Sequence, residues 1–384
     1  MKRHIRRFKY RIYPTEEQEK FIKQHFAATR VVYNRLFKQL EYDILDNNSF
    51  WNAIYNIADF KRREGYTWLQ TVDSSVFYET IFDLFQNLRK YRKDPYRRKR
   101  LRSKNDMFQS YRIRCKGKGI RIVNNGKSLV IPKLKSVIKI KQSRIFEGTI
   151  LTVAIIRKPD GKYFASFCVE EDIKLPNKKS TGGEIGIDVG LKSFYTDDKG
   201  NKSESPIKDE KLKKKIDKAW KKYYKTEEGS NRSKKARLRI AKLYERESET
   251  QADFVHKETK RLVEENKLIA VEDLDIQDMI KNKRLRRNII RAKWSMFFVL
   301  LGYKAERIGT NLVKVPRKFP SSQLCSVCGY RNKEVKNLDI REWDCPKCGT
   351  HHDRDRNAAI NILNKAKEIL DKQSDEEMLK FLFE

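Results

Sequence analysis

The spacing of apolar positions changes along the chain, and each change predicts an element. Phe8-Lys9-Tyr10-Arg11-Ile12-Tyr13 alternates as a strand does, and Pro14-Thr15-Glu16-Glu17-Gln18 then opens a helix with a Thr-x-x-Gln capping box. Phe21, Ile22, Val32, Tyr33, Leu36, Phe37 and Leu40 form a helical stripe, and Val76, Phe77, Ile81, Leu84 and Phe85 predict a second helix over Ser74–Lys90. Residues 14–100 therefore read as a helical insert. Between Tyr111 and Val169 alternation returns in Arg121–Val123, Leu129–Ile131, Val137–Ile140, Leu151–Ile156 and Tyr163–Val169. Asn124-Asn125-Gly126-Lys127 and Pro159-Asp160-Gly161 supply turns between these strands. They make a small β-barrel or sheet that the early strand at Phe8 can complete.

Lys174–Gly183 has the composition of a linker, so a new domain is expected beyond it. There Ile185–Gly190 reads as a buried strand and Ser193–Thr196 as a second, closed by the turn Asp197-Asp198-Lys199-Gly200. Two charge-laced helices follow. Asp209–Lys225 carries Leu212, Ile216, Ala219, Trp220 and Tyr223 on one stripe, and Ser233–Asn266 has Leu238, Ala241, Val255 and Leu262 among its apolar positions. Leu268-Ile269-Ala270-Val271-Glu272 is another buried strand, and a last helix is expected over Asn357–Ile369.

Charge changes the picture more than length does. The 384 residues are enough for two or three cores, and 39% are hydrophobic, but the formal net charge is +35. That excess repels itself in any compact state unless a polyanion neutralises it, which points to nucleic acid. The basic, aromatic-interleaved stretch Arg89–Lys118, with Tyr96-Arg97-Arg98-Lys99-Arg100 at its centre, reads as phosphate-facing or else as a solvated linker. The longest apolar helical run, Met296–Leu301, falls far short of the roughly 20 residues that span a bilayer, so no membrane association is expected. No apolar leader follows Met1-Lys2-Arg3-His4, and a cytoplasmic location is expected. Of six cysteines, Cys115 and Cys168 read as ordinary strand residues.

The other four have metal spacing. Cys325-x-x-Cys328 and Cys345-x-x-Cys348 lie sixteen residues apart, each pair followed by a glycine, Gly329 or Gly349, that allows a tight turn around an ion. Four thiolates suit a closed, structural Zn²⁺ site with no open position for water; His351 and His352 are not needed as ligands. A second constellation is acidic. Asp188 and Glu272 stand on apolar strands, and Asp355 stands just before the last helix. Carboxylates at the ends of apolar strands need a cation or hydrogen bonds. Hard Mg²⁺ ions take such oxygens, and a two-metal pair hydrolyses phosphodiesters. Read singly, Glu272 could simply end a strand and Asp355 could cap a helix, and Asp273, Asp275 and Asp353 are alternatives in another register. Gly186 and Gly190 beside Asp188 would let backbone and phosphate approach closely.

These motifs recur in a fixed order: Gly186-Ile187-Asp188-Val189-Gly190, Val271-Glu272-Asp273-Leu274, Tyr303-Lys304-Ala305-Glu306, Lys318-Phe319-Pro320-Ser321-Ser322-Gln323-Leu324-Cys325, and His352-Asp353-Arg354-Asp355-Arg356-Asn357-Ala358-Ala359. Together with Tyr10–Pro14 and Arg30-Val31-Val32-Tyr33-Asn34, the chain resembles the transposon-encoded TnpB family, over nearly its whole length up to about Lys372. The resemblance implies a multidomain α+β protein. A wedge-type β-barrel (1–13 and 101–180) would hold a helical recognition insert (14–100). An RNase H-like, RuvC-type α/β nuclease domain (181–317 and 353–372) would hold an inserted zinc ribbon (318–352), followed by a C-terminal tail (373–384).

It also implies an RNA-guided DNA endonuclease with Asp188, Glu272 and Asp355 as catalytic, magnesium-binding residues. Its partners would be a structured guide RNA and a target DNA carrying a short adjacent motif. Arg89–Lys118 and Lys211–Arg246 are the candidates for RNA and heteroduplex phosphates, and the helix after Ser74 either faces the motif duplex or packs in the core. The alternatives are a nuclease-inactive RNA-guided DNA-binding regulator and a miniature CRISPR effector; a transposase that moves DNA itself is a third, disfavoured because nothing in the sequence suggests a strand-transferring Tyr–His arrangement. The oligomeric state stays open, since one site must cut both strands in turn or two protomers must cooperate.

Overall fold

Thr15 and Gln18 close the capping box: the Thr15 amide donates to Gln18 Oε1 at 3.0 Å and the Gln18 amide to Thr15 Oγ1 at 3.4 Å. This reciprocal pair ends strand β1 (Lys2–Tyr13) and starts helix α1 (Glu16–Leu40). The computed structural model describes residues 2–40, 47–93, 100–115, 119–173, 176–204, 209–337 and 339–383, with side chains beyond 372 left undescribed. Residues 94–99 and 116–118 of the basic stretch, and 174 and 175 of the linker, lie outside these. The chain divides into two compact units, 1–174 and 175–384.

In the first unit, α1 is followed by α2 (Asn47–Phe60) and α3 (Ser74–Lys93). Six strands complete it: β2 (Gln109–Arg114), β3 (Arg121–Val123), β4 (Ser128–Val130), β5 (Ile138–Lys141), β6 (Thr149–Arg157) and β7 (Tyr163–Ile173). The sheet order is β2-β6-β7-β1-β5-β4-β3. The early strand does complete it, pairing antiparallel with β7 from Lys2 beside Ile173 to Ile12 beside Tyr163, and with β5. The sheet is open, with β2 and β3 at its edges, and so forms a curled half-barrel where closure was one expectation. The short hairpin β3–β4 turns through Asn124, Asn125 and Gly126 with φ of 55°, 51° and 82°, the left-handed conformation that Asn and Gly tolerate best.

The predicted stripes are the core. Ile22, Val32, Tyr33, Leu36 and Phe37 of α1 and Val76, Phe77, Ile81, Leu84 and Phe85 of α3 join Ile113, Ile138, Val153 and Phe167 of the sheet in one apolar cluster. The α3 stripe thus packs inward. Four arginines of the basic stretch have partners within the protein. Glu79 of α3, whose side chain is only 2% exposed, accepts from Arg112 at 3.2 Å and Arg114 at 2.8 Å. A buried carboxylate without partners would be costly, so these two half-buried guanidiniums serve the fold by pairing with it. Arg102 stacks 4.1 Å above the Tyr33 ring, and Arg100 pairs with Asp106.

The second unit is built on a five-stranded sheet of order β10-β9-β8-β11-β12. Its strands are β8 (Gly183–Val189), β9 (Tyr195–Asp197), β10 (Lys202–Ser203), β11 (Asn266–Glu272) and β12 (Asn311–Val315). β11 runs parallel to both β8 and β12, whereas β9 is antiparallel to β8 and to β10. Between β10 and β11 stand α4 (Glu210–Tyr224) and the long α5 (Asn231–Glu265), capped by Asp209 and Ser230 side chains. Leu212, Ile216 and Ala219 are buried on α4 and Ala241, Val255 and Leu262 on α5, while Leu238 is exposed. α6 (Ile276–Met279), α7 (Arg286–Ala292) and α8 (Trp294–Ile308) lead to β12. After β12 comes a small hairpin of β13 (Glu342–Asp344) and β14 (His351–Asp353), and then α9 (Arg354–Phe383). Ile362, Leu363 and Ala366 of α9 pack on Leu268, Ala270, Val313 and Val315, covering the sheet face opposite the Phe194, Phe297 and Leu301 core. Among the described residues no helix is long and apolar enough to cross a membrane.

Candidate metal centres

Parallel pairing brings the two strand acids together. β8 and β11 run in register with Ile187 beside Val271, so the next residue on each, Asp188 and Glu272, reaches the same end of the sheet. α9 adds the third. It lies so close on β8 that a Cβ at Gly186 would sit 2.1 Å from the Ala359 carbonyl oxygen and 2.9 Å from Leu363 Cβ. Gly186 therefore makes room for a helix; the expectation that it admits phosphate is corrected. One turn before Ala359, Asp355 faces the strand acids.

The helix begins at Arg354 and not at Asn357, which moves Asp355 from the approach to the first turn. Asp353 takes the capping role, its Oδ1 accepting from the amides of Asp355 and Arg356 at 3.0 Å each. Its other oxygen binds Lys202 Nζ at 2.8 Å. Asp273 and Asp275 are likewise engaged, both by Arg317, at 3.2 and 2.8 Å. Each alternative acid thus has a local structural partner.

The electrostatics are those of a crowded anionic site. Asp188 is half-buried, and its carboxyl is held well above the usual range, first by burial, then by the charges of Glu272 and Asp355; Arg354 and Arg341 oppose the rise. Glu272 is raised by burial, against a hydrogen bond from the Ser321 hydroxyl. Asp355 accepts from Arg341 Nη1 at both oxygens, 3.1 and 3.3 Å. An Asp188 carboxyl raised by burial and further by two neighbouring acids fits a divalent cation with oxygen ligands, which would supply the missing positive charge. The acids are looser than the thiolates. Among the described residues, the four cysteines are the one group of three or more candidate ligand atoms lying within 4.8 Å of one another.

Those cysteines form two matched knuckles. The Gly329 amide donates to the Cys325 carbonyl at 2.9 Å and the Gly349 amide to the Cys345 carbonyl at 2.8 Å, with φ of 73° and 71° at the two glycines. Sγ atoms of Cys325 and Cys348, and of Cys328 and Cys345, are 3.6 Å apart. Zn–S bonds of about 2.3 Å in a tetrahedron place sulfurs about 3.8 Å apart, so the donor set fits Zn²⁺. His352 is buried with Nε2 3.1 Å from Cys325 Sγ, suited to donate to a thiolate, and His351 turns to Asp344 at 2.8 Å.

Two polar residues here have no role that the sequence alone reveals. Arg341 is one among 87 lysines and arginines, and nothing local marks it; Ser321 sits inside the Phe319-Pro320-Ser321-Ser322 motif, but only the fold shows that it reaches Glu272. The basic candidate Lys211–Arg246 remains open surface. Lys211, Lys214, Lys215, Lys218, Lys221 and Lys222 of α4 are exposed, as are Lys234, Lys235, Arg237 and Arg239 of α5.

Three family descriptions match successive parts of the chain: "Helix-turn-helix domain" over residues 1–41, "Probable transposase" over 166–283, and "Cas12f1-like, TNB domain" over 294–362. The first of these segments folds here as one strand and one helix, β1 and α1. A Streptomyces pristinaespiralis protein named "Putative RNA-guided DNA endonuclease" is 32% identical over 365 residues, covering 93% of this chain and 88% of its own. Escherichia coli K12 InsQ, which carries the same description, is 24% identical over 390 residues, 96% of this chain and 94% of its own. Among solved structures, a Cas12f1–sgRNA–target DNA complex is similar, with a TM-score of 0.59 at 16% identity, covering 91% of this chain and 83% of that one. That likeness gives the fold, a mixed α+β architecture shared with Cas12f1. Identity at this level over 93% of the chain means that the chain belongs to the TnpB family of RNA-guided DNA endonucleases.

Proposed function

We propose that this chain uses a bound, structured guide RNA to select a target DNA and hydrolyses its phosphodiester bonds with Asp188, Glu272 and Asp355. The observation that carries the reading is the meeting of three acids from β8, β11 and α9, distant in sequence, in which burial and then the charges of Glu272 and Asp355 hold the Asp188 carboxyl well above its usual range. The sheet supports it. Counted within the unit, its order is 3-2-1-4-5 with only the second strand running against the other four, the arrangement of an RNase H-like or RuvC-type domain. Under this reading residues 181–317 and 353–372 form that domain and 318–352 its zinc ribbon. Residues 1–13 and 101–180 form the wedge, 14–100 the recognition insert, and 373–384 a tail that extends α9.

The acids would hold Mg²⁺, which when bound polarises a phosphoryl oxygen and lowers the pKa of attacking water. The chain's own residues set the site. Asp188 is fixed by its strand, Glu272 by Ser321, and Asp355 by Arg341, which also places a guanidinium where a phosphate would arrive. The exposed lysines of α4 and α5 offer a backbone-reading surface for an RNA–DNA duplex, while base pairing reads sequence. Zn²⁺ on Cys325, Cys328, Cys345 and Cys348 would be structural.

The test is to purify the protein expressed with its native flanking DNA, sequence any co-purifying RNA, and assay Mg²⁺-dependent cutting of a matching target. Asp188→Ala, Glu272→Ala and Asp355→Ala should each abolish cutting while guide and target binding persist. Normal cutting by any of the three removes that residue from the site. Intact binding with no cutting by the unaltered chain would establish the regulator reading instead.

A further inference from the structure

The segment joining β12 to the first cysteine knuckle runs past the acidic site and is fastened to α9 along its length. Two asparagines on one face of α9 do the fastening. Asn361 Nδ2 donates to the carbonyls of Ser321 and Leu324 at 2.8 and 2.7 Å. Asn357 Nδ2 donates to the Leu324 carbonyl at 2.7 Å, and its Oδ1 accepts from the Ser326 amide at 2.9 Å. Asn357, Asn361 and Ser321 are all buried, at 1%, 7% and 6% exposure, so these bonds are shielded from competing water. At one end of the segment the Ser321 hydroxyl donates to Glu272 Oε1; at the other stands Cys325.

We propose that Ser321 is a positioning residue for Glu272, and that Asn357 and Asn361 make it so by tying the zinc knuckle, the Ser321 segment and the Asp355 helix into one rigid unit. The inference rests on the nuclease-site reading above and deepens it. A serine hydroxyl has one proton to give. Spending it on Oε1 fixes the carboxylate's orientation and leaves Oε2 for a cation. Without it, a half-buried Glu272 would have neither a partner for Oε1 nor a reason to keep one rotamer. Residues that orient metal ligands in this way typically change metal affinity about 10–100-fold when removed.

The experiment compares Ser321→Ala with Ser321→Thr in the full chain. Binding of Tb³⁺, a luminescent probe for oxygen-ligand cation sites, is titrated into the RNA-free protein, and the Mg²⁺ dependence of cutting is measured with the guide bound. Ser321→Ala should weaken Tb³⁺ binding and raise the half-saturating Mg²⁺ concentration by about tenfold or more, with zinc content unchanged and cutting recovered at high Mg²⁺. Ser321→Thr, which keeps the hydroxyl, should stay near the unaltered protein. Ser321→Ala within twofold on both measures, or Ser321→Thr as impaired as Ser321→Ala, overturns the assignment. Asp188→Ala is titrated in parallel. Undiminished Tb³⁺ binding there sinks the metal-site reading itself, whereas its loss there with unaltered Ser321→Ala binding sinks only the role of Ser321.

Discussion

Arg341, carried by the cysteine hairpin, lies on Asp355, with Nη1 3.1 and 3.3 Å from the two carboxylate oxygens. The pair is partly exposed, at 42% and 26%, so it adds little to stability. Its place matters more. The same guanidinium opposes the raised pKa of Asp188. Removing it leaves Asp188 harder to ionise, so less of the working form exists at any given acidic pH. Arg341→Ala should shift the acid limb of the cleavage pH profile to higher pH and lower the maximal rate about 10²-fold, as loss of a preorganised donor does. Arg341→Lys, which keeps the charge but not the forked geometry, should restore the limb more than the rate. A profile that does not move in Arg341→Ala would separate Arg341 from Asp188.

Asp188 carries a stability cost that the metal should relieve. Its folded-state pKa is raised above the unfolded value of about 3.9, so the stability it contributes is fully present below that value and is lost as pH rises through the folded pKa. Asparagine has the same shape and cannot ionise. In metal-free protein, Asp188→Asn should therefore raise the melting temperature by about 2–4 °C at pH 8 and hardly at all at pH 4, while abolishing cutting. Added Mg²⁺ should raise the melting temperature of the unaltered chain and not that of the variant. Equal melting temperatures at pH 8 without metal would mean that Asp188 is not strained by its neighbours.

What could be read in the sequence was local. The Thr15–Gln18 box, the Asn124–Gly126 turn, the apolar runs ending in Asp188 and Glu272, and the paired cysteines all state their geometry within a few residues. What could not be read depends on partners far along the chain. Arg112 and Arg114 look like phosphate ligands until buried Glu79 is placed beside them. Gly186 looks like room for phosphate to approach until α9 lands on it. Asp353 and Asp355 are two residues apart, and only the start of α9 tells the cap from the site. The apolar run Met296–Leu301, read as helical, lies inside α8, whose start at Trp294 and end at Ile308 the run itself does not mark.

The cysteine hairpin has almost no core of its own. Among the described residues, Val335 and Trp343 are its only other buried apolar side chains beside Cys325 and Cys345, too few to order it without cross-links. On the proposed zinc reading, much of its order comes from the ion. Cys345→Ser should reduce zinc, measured by mass spectrometry, from one per chain toward none, and should cut DNA no better than Arg341→Ala, because the hairpin delivers Arg341. Full zinc occupancy in that variant would overturn the four-thiolate assignment.

Gly186 and Gly302 offer a matched pair of substitutions with opposite expected signs. A Cβ at Gly186 meets the Ala359 carbonyl at 2.1 Å, a contact that backbone cannot absorb without α9 moving; a Cβ at Gly302, inside α8, meets nothing within 4 Å. Gly302→Ala should stabilise by about 0.5–1 kcal/mol, because alanine loses less backbone entropy in a helix. Gly186→Ala should destabilise by about 1–3 kcal/mol through overpacking. The displaced helix carries Asp355 one turn from the clash, and a misplacement near 1 Å costs about 10²-fold in rate. Cutting by Gly186→Ala should thus fall about a hundredfold at temperatures where circular dichroism shows it folded, while Gly302→Ala cuts normally. Normal cutting by a folded Gly186→Ala would mean that α9 does not set the position of Asp355, and the three-acid geometry would lose its third member.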